Sequence, residues 1–119
     1  MREKIIAGNW KMYKTLEEAT ALTSEIIFSL TKSTIHSQQS TVILCPPSIY
    51  LNSISQQIQN LKFKIQNLKL GAQNCHWEIQ GAYTGEISAS MLPSVGVEYV
   101  IIGHSERRQY FSETNEMLS

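Results

Sequence analysis

Aspartate is absent from this 119-residue sequence: all ten acidic residues are glutamates. Sites built on Asp-rich loops, such as the EF-hand, are thereby excluded. Cysteine is scarce. Cys45 and Cys75 are the two present, no C-x-x-C pair occurs, and two cysteines make no disulfide framework, so a reducing, cytoplasmic setting is expected. Neither sign of charge dominates, with ten Lys and Arg against ten Glu. No basic stripe stands out, which argues against a nucleic-acid partner. Long apolar runs are missing as well. The N-terminal apolar stretch is only Ile5 to Ala7, too short for a signal-peptide core or a membrane span, so no membrane partner is expected either. What remains, 42% hydrophobic and 17% charged residues, fits one soluble globular domain with a single core.

Short apolar runs alternate with amphipathic stretches along the chain. Ile5 to Gly8 reads as a buried strand. Thr15-Leu16-Glu17-Glu18 has the T-x-x-E form of a capping box and opens a helix with Leu16, Ala19, Leu22, Ile26 and Leu30 on one face. Residues 31–40 are polar and read as a loop. Thr41 to Cys45 is a second strand, stopped by Pro46-Pro47, after which Ser48 caps a helix with Leu51, Ile54 and Ile58 on one side. Leu68 to Ala72 is a third strand, residues 73–88 a long structured loop, and Ala89 to Leu92 a short helix ended near Pro93 and Gly96. Glu98 to Gly103 reads as the clearest strand of all, followed by a helix start. QNLK occurs twice within residues 56–69, a near-repeat better read as coincidence than as a structural unit. The order β-α-β-α-β-α-β-(α) implies an α/β fold with a parallel sheet and crossover helices.

Parallel α/β folds gather ligands where strands end and helices begin. Those positions carry Asn9 and Lys11, Cys45-Pro46-Pro47, Gln73 and Asn74, and Gly103 to Arg108. Lys11 offers a fixed positive charge to an anion. Asn9 and Lys11, two apart, would face one side if the backbone stays extended. The plainer reading is a surface lysine beside a turn asparagine. His104 precedes Ser105, a good N-cap, and a helix N-terminus favours a neutral imidazole able to donate to a substrate oxygen. Its plainer reading is a buried, satisfied histidine. Glu106 reads equally as an ordinary first-turn acid, and Arg107 and Arg108 as a solvated or salt-bridged face. Cys75 and His76 are adjacent, point in different directions and have no second pair at ligand spacing, so no metal is expected.

Four motifs in order and spacing resemble those of the triosephosphate isomerase family. They are Gly8-Asn9-Trp10-Lys11, Gly71-Ala72-Gln73-Asn74, Gly81-Ala82-Tyr83-Thr84-Gly85-Glu86, and Gly103-His104-Ser105-Glu106-Arg107-Arg108. The resemblance runs from Ile5 to Ser119. It implies a (β/α)₈ TIM barrel, with the first four strands and their helices in residues 1–119 as the N-terminal half of a single domain, since the whole barrel takes about 250 residues. It further implies acid–base isomerisation of a small phosphorylated triose through an enediolate, without cofactor or metal. Asn9 and Lys11 would bind substrate, His104 would be the electrophile, and Glu106 would partner the active-site lysine. The long loop would enter a second subunit of a homodimer with Thr84 at its tip, and Glu86 and Arg107 would pair across that interface. The family's glutamate base belongs to a Y-E-P-x-W segment that does not occur in these 119 residues, and the lid and the Gly-Gly phosphate cradle do not occur either. An alternative is therefore a non-catalytic half-barrel that assembles with a second chain. A weaker one is another phosphosugar-binding (β/α)₈ protein.

Overall fold

A computed structural model describes residues 4–32, 40–61 and 67–118. The T-x-x-E box forms as its spacing predicts. Glu18 Oε1 accepts from the Thr15 N–H (3.0 Å) and hydroxyl (3.1 Å), while the Glu18 N–H returns a bond to Thr15 Oγ1 (3.3 Å). These bonds, the backbone N–H foremost, hold the Glu18 carboxyl below the usual carboxylate range. The helix they start, α1, spans Leu16–Lys32. Its buried ridge is Ala19, Thr23 and Ile27. The predicted face is thus turned: Leu16 is exposed, and Leu22, Ile26 and Leu30 flank the ridge, half-buried. A threonine can occupy the centre because its hydroxyl bonds back to the Ala19 carbonyl at 2.8 Å, leaving no unpaired donor.

Strand β1 is Lys4–Asn9, β2 is Ser40–Cys45, β3 is Leu68–Ala72 and β4 is Tyr99–Val100. All pair in parallel, in the order β1-β2-β3-β4. The four strands form a curled α/β half-barrel. Between β2 and β3, Pro47 (φ −53°) starts a 3₁₀ turn, Ser48–Tyr50, that runs into α2, Leu51–Gln59. Ser48 does not cap it: the turn has no side-chain cap, and its bond runs from the Tyr50 N–H to the Pro47 carbonyl (3.0 Å). Proline's fixed φ sets the direction in which the chain enters the turn, and no side chain replaces the cap bond expected of the serine. The predicted helix at Ala89–Leu92 is instead a turn leading to a 3₁₀ segment, Pro93–Val95. Gly96 (φ +84°) closes it against α2, where a Cβ would lie 2.4 Å from Ser55 Oγ. The predicted strand at Glu98–Gly103 pairs only at Tyr99 and Val100. The last ladder bond reaches from the Ile101 N–H to the Ala72 carbonyl (2.8 Å), and β3 ends there. Ile102 and Gly103 have no strand left to pair with. Most of the loop predicted at 31–40, and part of the QNLK near-repeat, lie outside the described residues.

Two faces of the sheet differ. Leu44 of β2 and Leu68, Leu70 and Ala72 of β3 meet Ala19, Ile27, Leu51 and Ile54 in a helix-side core. Ile43, Cys45 and Gly71 lie on the opposite, barrel-interior face. Helix α3 (Ser105–Tyr110) and the short α4 (Asn115–Leu118) follow β4. Among the described residues no helix is long and apolar enough to cross a membrane.

At β1 neither face is covered: Ile5 and Ile6 point to opposite sides, yet are 54% and 59% exposed. Val100 and Ile102, at the other end of the sheet, are exposed too. Unpaired apolar edges recruit other chains. The purified 119-residue chain should therefore self-associate, with light scattering rising steeply with concentration. Ile6→Lys should lower that scattering, whereas Ile54→Ala, at a fully buried core position, should cost about 2–5 kcal/mol of stability. A monodisperse monomer with a cooperative unfolding transition would contradict this reading of the edges.

Candidate active site

Parallel pairing sends the C-terminal ends of β1, β2, β3 and β4 to one rim of the sheet. Asn9 closes β1, and its Oδ1 accepts the Lys11 N–H at 2.9 Å. This short-range bond folds the chain out of the strand rather than extending it. Lys11 lies in the left-handed region (φ 55°), so the expectation that Asn9 and Lys11 share a face of one extended segment is not met. What the turn does is send the Lys11 ammonium to Glu106, 3.2 Å from Oε2. The two side chains are 47% and 44% exposed, so this pair adds little to stability. Its effect is to place a cation.

His104 itself caps α3, in place of Ser105, which is the first helical residue. With ψ at 145° the His104 backbone is not helical, and its Nδ1 accepts the Glu106 N–H at 3.1 Å. An imidazole nitrogen thus does what a serine oxygen does at other N-caps. Glu106 Oε1 also lies 3.4 Å from the same Nδ1. One nitrogen cannot accept from the amide and donate to the carboxylate together. The amide N–H has a fixed direction and the shorter distance, so Nδ1 is assigned as the acceptor and the ring proton to Nε2. Glu106 therefore touches both candidate site residues, Lys11 by its side chain and His104 by its backbone.

Gln73, at the end of β3, joins the same rim. Its Nε2 donates to the Lys11 carbonyl (2.8 Å) and the Cys45 carbonyl (2.9 Å). Its strand-end position marks it in the sequence, but an amide at that position names no role by itself. The neighbouring motif glycine has a packing reason. A Cβ on Gly71 would stand 2.7 Å from Cys45 Sγ and 3.0 Å from Ile43 Cγ2. Burial pushes the Cys45 thiol up, so it is inert packing material here.

Arg107 and Glu113 form a second, half-hidden feature. Arg107 Nε donates to Glu113 Oε2 at 2.7 Å, and the guanidinium lies 4.7 Å from the Phe111 ring. The Glu113 side chain is buried, a position that nothing in the local sequence pattern marks. Burial first, and the Glu113 carboxylate second, push the Cys75 thiol up. Arg108 is exposed, as expected, and also donates to the Gly103 carbonyl (2.9 Å) and to Asn115 Oδ1 (2.6 Å), tying the turn after β4 to α4. In the long loop, His76 Nδ1 meets Glu86 Oε1 at 3.2 Å, and its ring lies 4.0 Å from Trp77 and 4.4 Å from Tyr83. The Glu86 N–H bonds the Tyr83 carbonyl (2.9 Å), so Thr84 sits exposed in the closing turn. Within one chain, then, Glu86 and Arg107 are not brought together; each has its own partner. Among the described residues no group of three His, Cys or Glu side chains could hold a metal ion. An open cleft of about 560 Å³ lies beside the rim rather than over His104, lined by Asn9, Trp10, Tyr13, Lys14, Glu18 and Leu22.

Gly71→Ala should destabilise the chain by about 1–3 kcal/mol through overpacking. Cys45→Ala should recover part of that loss, giving a coupling energy above about 0.5 kcal/mol in a double-mutant cycle followed by denaturant unfolding. Additive effects would show that the clash is relieved elsewhere.

The family model described as triosephosphate isomerase matches residues 4–119. The chain is similar to proteins named triosephosphate isomerase from Alkaliphilus oremlandii (51% identical over 121 residues, 100% of this chain and 44% of that protein) and Trichodesmium erythraeum (50% over 119 residues, 100% and 46%). It is also similar to the one from a Synechocystis strain (52% over 116 residues, 98% and 45%). The chain spans less than half the length of the curated relatives it matches.

Proposed function

The chain belongs to the triosephosphate isomerase family, and from that premise we propose that it carries the lysine–histidine half of a site that interconverts D-glyceraldehyde 3-phosphate and dihydroxyacetone phosphate. The observation that carries the proposal is the convergence on Glu106. Its carboxylate holds the Lys11 ammonium and its amide holds His104 Nδ1, at the rim where parallel α/β folds bind ligands.

The chemistry follows from those contacts. Lys11, with Asn9 beside it, attracts the phosphorylated substrate and the negative charge that grows on an enediolate oxygen. With Nδ1 occupied as an acceptor, His104 is left with Nε2–H as a donor toward a substrate carbonyl, and can pass protons between the two enediolate oxygens. Glu106 keeps both groups in position. The carbon-bound proton needs a base, which the Y-E-P-x-W segment would contribute. The 119-residue domain is one half of such a barrel, and the bare strands at β1 and β4 favour its assembly with the other half, whether in the same chain or a second one. A homodimer is the further assembly we propose. Met12, Ile49 and Ile79 are highly exposed and follow the ends of β1, β2 and β3 on one rim, and the closed long loop rises from that rim. A cytoplasmic location accords with the two free cysteines.

The chain alone should show negligible isomerisation in a coupled assay. Turnover within tenfold of an intact relative would overturn the division of the site. Co-expression with the C-terminal portion of the Alkaliphilus oremlandii protein should restore activity. In that assembly, His104→Gln should lower kcat by about 10²–10⁴ with little change in KM. An unchanged kcat would remove His104 from the mechanism. Lys11→Met should weaken binding of a phosphorylated transition-state analogue and flatten its salt dependence. If analogue affinity held within a few-fold, the anion would have to be bound elsewhere.

A further inference from the structure

Between β1 and α1 the chain reverses without a glycine. Lys11 (φ 55°) and Lys14 (φ 84°) both occupy the left-handed region, which residues with a Cβ enter only at a cost. Such conformations persist where surrounding groups impose them. Here two side chains from distant segments grip the carbonyls of those same two residues. Gln73, at the end of β3, donates to the Lys11 carbonyl at 2.8 Å while also donating to the Cys45 carbonyl at 2.9 Å. Tyr50, in the turn after β2, donates its hydroxyl to the Lys14 carbonyl at 2.9 Å. Between the grips, Met12 is 93% exposed and Tyr13 is exposed as well, so burial does not hold this loop. Downstream the capping box at Thr15 fixes the start of α1, and upstream the Trp10 N–H is bonded to the Cys45 carbonyl at 3.0 Å. The four residues between those fixed points take their shape from Gln73, Tyr50 and the Asn9 turn.

We propose that Gln73 and Tyr50 are positioning residues that act through Lys11. They clamp the two left-handed residues of the 11–14 turn and so fix the backbone from which the lysine ammonium reaches Glu106. The functional part of this inference rests on the reading of Lys11 as the anion anchor. The clamp itself does not. Gln73 is the more important of the two because its two N–H groups tie the turn to β2 as well as to β3. An amide suits this role, since it can donate twice to neutral carbonyls without placing a charge beside the lysine.

The test uses the full chain, isotopically labelled, with Gln73→Met and Tyr50→Phe. Each variant keeps the bulk of its side chain and removes the donor. The first readout is the backbone conformation of Lys11 and Lys14, from intraresidue HN–Hα distances and three-bond couplings. The second is affinity for inorganic phosphate, followed at the Lys11 and His104 amides. In Gln73→Met, Lys11 should return to negative φ and phosphate affinity should fall at least about fivefold, a loss of roughly 1 kcal/mol. In Tyr50→Phe, Lys14 should relax, with a smaller loss of affinity. A thermal shift without any change at Lys11 or Lys14 would overturn the clamp and leave both side chains as ordinary packing. Should Gln73→Met fail to fold, Tyr50→Phe decides at Lys14. If Lys11→Met binds phosphate as well as the unmodified chain does, the anchor reading fails, and the backbone measurements still decide the clamp.

Discussion

Parallel register is the constraint on which everything else in this molecule depends. Ile5 pairs with Thr41, Val42 with Leu68, and Gly71 with Tyr99. Once those pairs are set, Asn9, Cys45, Gln73 and His104 must all emerge at one rim, because the four described strands all run the same way. The convergence of Lys11, His104 and Glu106 needs no special attraction among them. The exposed Lys11–Glu106 pair is too weak to organise the fold and is instead a result of it. Close packing supports the register where it matters most. Gly71 leaves room for Cys45 Sγ, and that contact lets β2 and β3 deliver their last residues side by side.

Much of this was legible in the sequence, and the reasons differ from element to element. Thr15 and Glu18 declared a helix start because a capping box is a local device, complete within four residues. Leu68 to Ala72 was legible as a strand because Leu68, Leu70 and Ala72 alternate onto one face, which the fold buries. The strand at Tyr99–Val100 came out shorter than its apolar run, since strand length is set by the partner and β3 ends at Ala72. Ser48 and Ser105 both look like caps, yet Pro47 and His104 took those positions. Composition ranks caps by average preference, whereas the chain direction at each strand end decides which residue is available.

At the site, His104, Lys11 and Glu106 were visible as residue types at strand ends. The Lys11–Glu106 contact was anticipated only through the family resemblance, because 95 residues of sequence separate the two (106 − 11). That the Glu106 amide would be capped by His104 was not anticipated, since Ser105 looked the better cap. Glu113 was invisible: a glutamate in a polar stretch gives no sign that it will be buried against Arg107. Nor does the composition of the long loop reveal that the His76 ring will pack, tilted, against both Trp77 and Tyr83. These features arise from long-range burial, on which local periodicity carries no information.

Strand order in the sheet equals strand order in the chain. Among the described strands, each of β2, β3 and β4 pairs with the strand made just before it, and none is inserted between two that are already joined. As the polypeptide leaves the ribosome, β2 finds β1 already emerged, β3 finds β2, and β4 finds β3. Each closing contact spans one crossover, of 36 residues for Lys4 to Ser40 (40 − 4) and 28 for Gly71 to Tyr99 (99 − 71), rather than the length of the domain. Assembly can therefore be vectorial, with loop-closure entropy spent in similar instalments as synthesis proceeds.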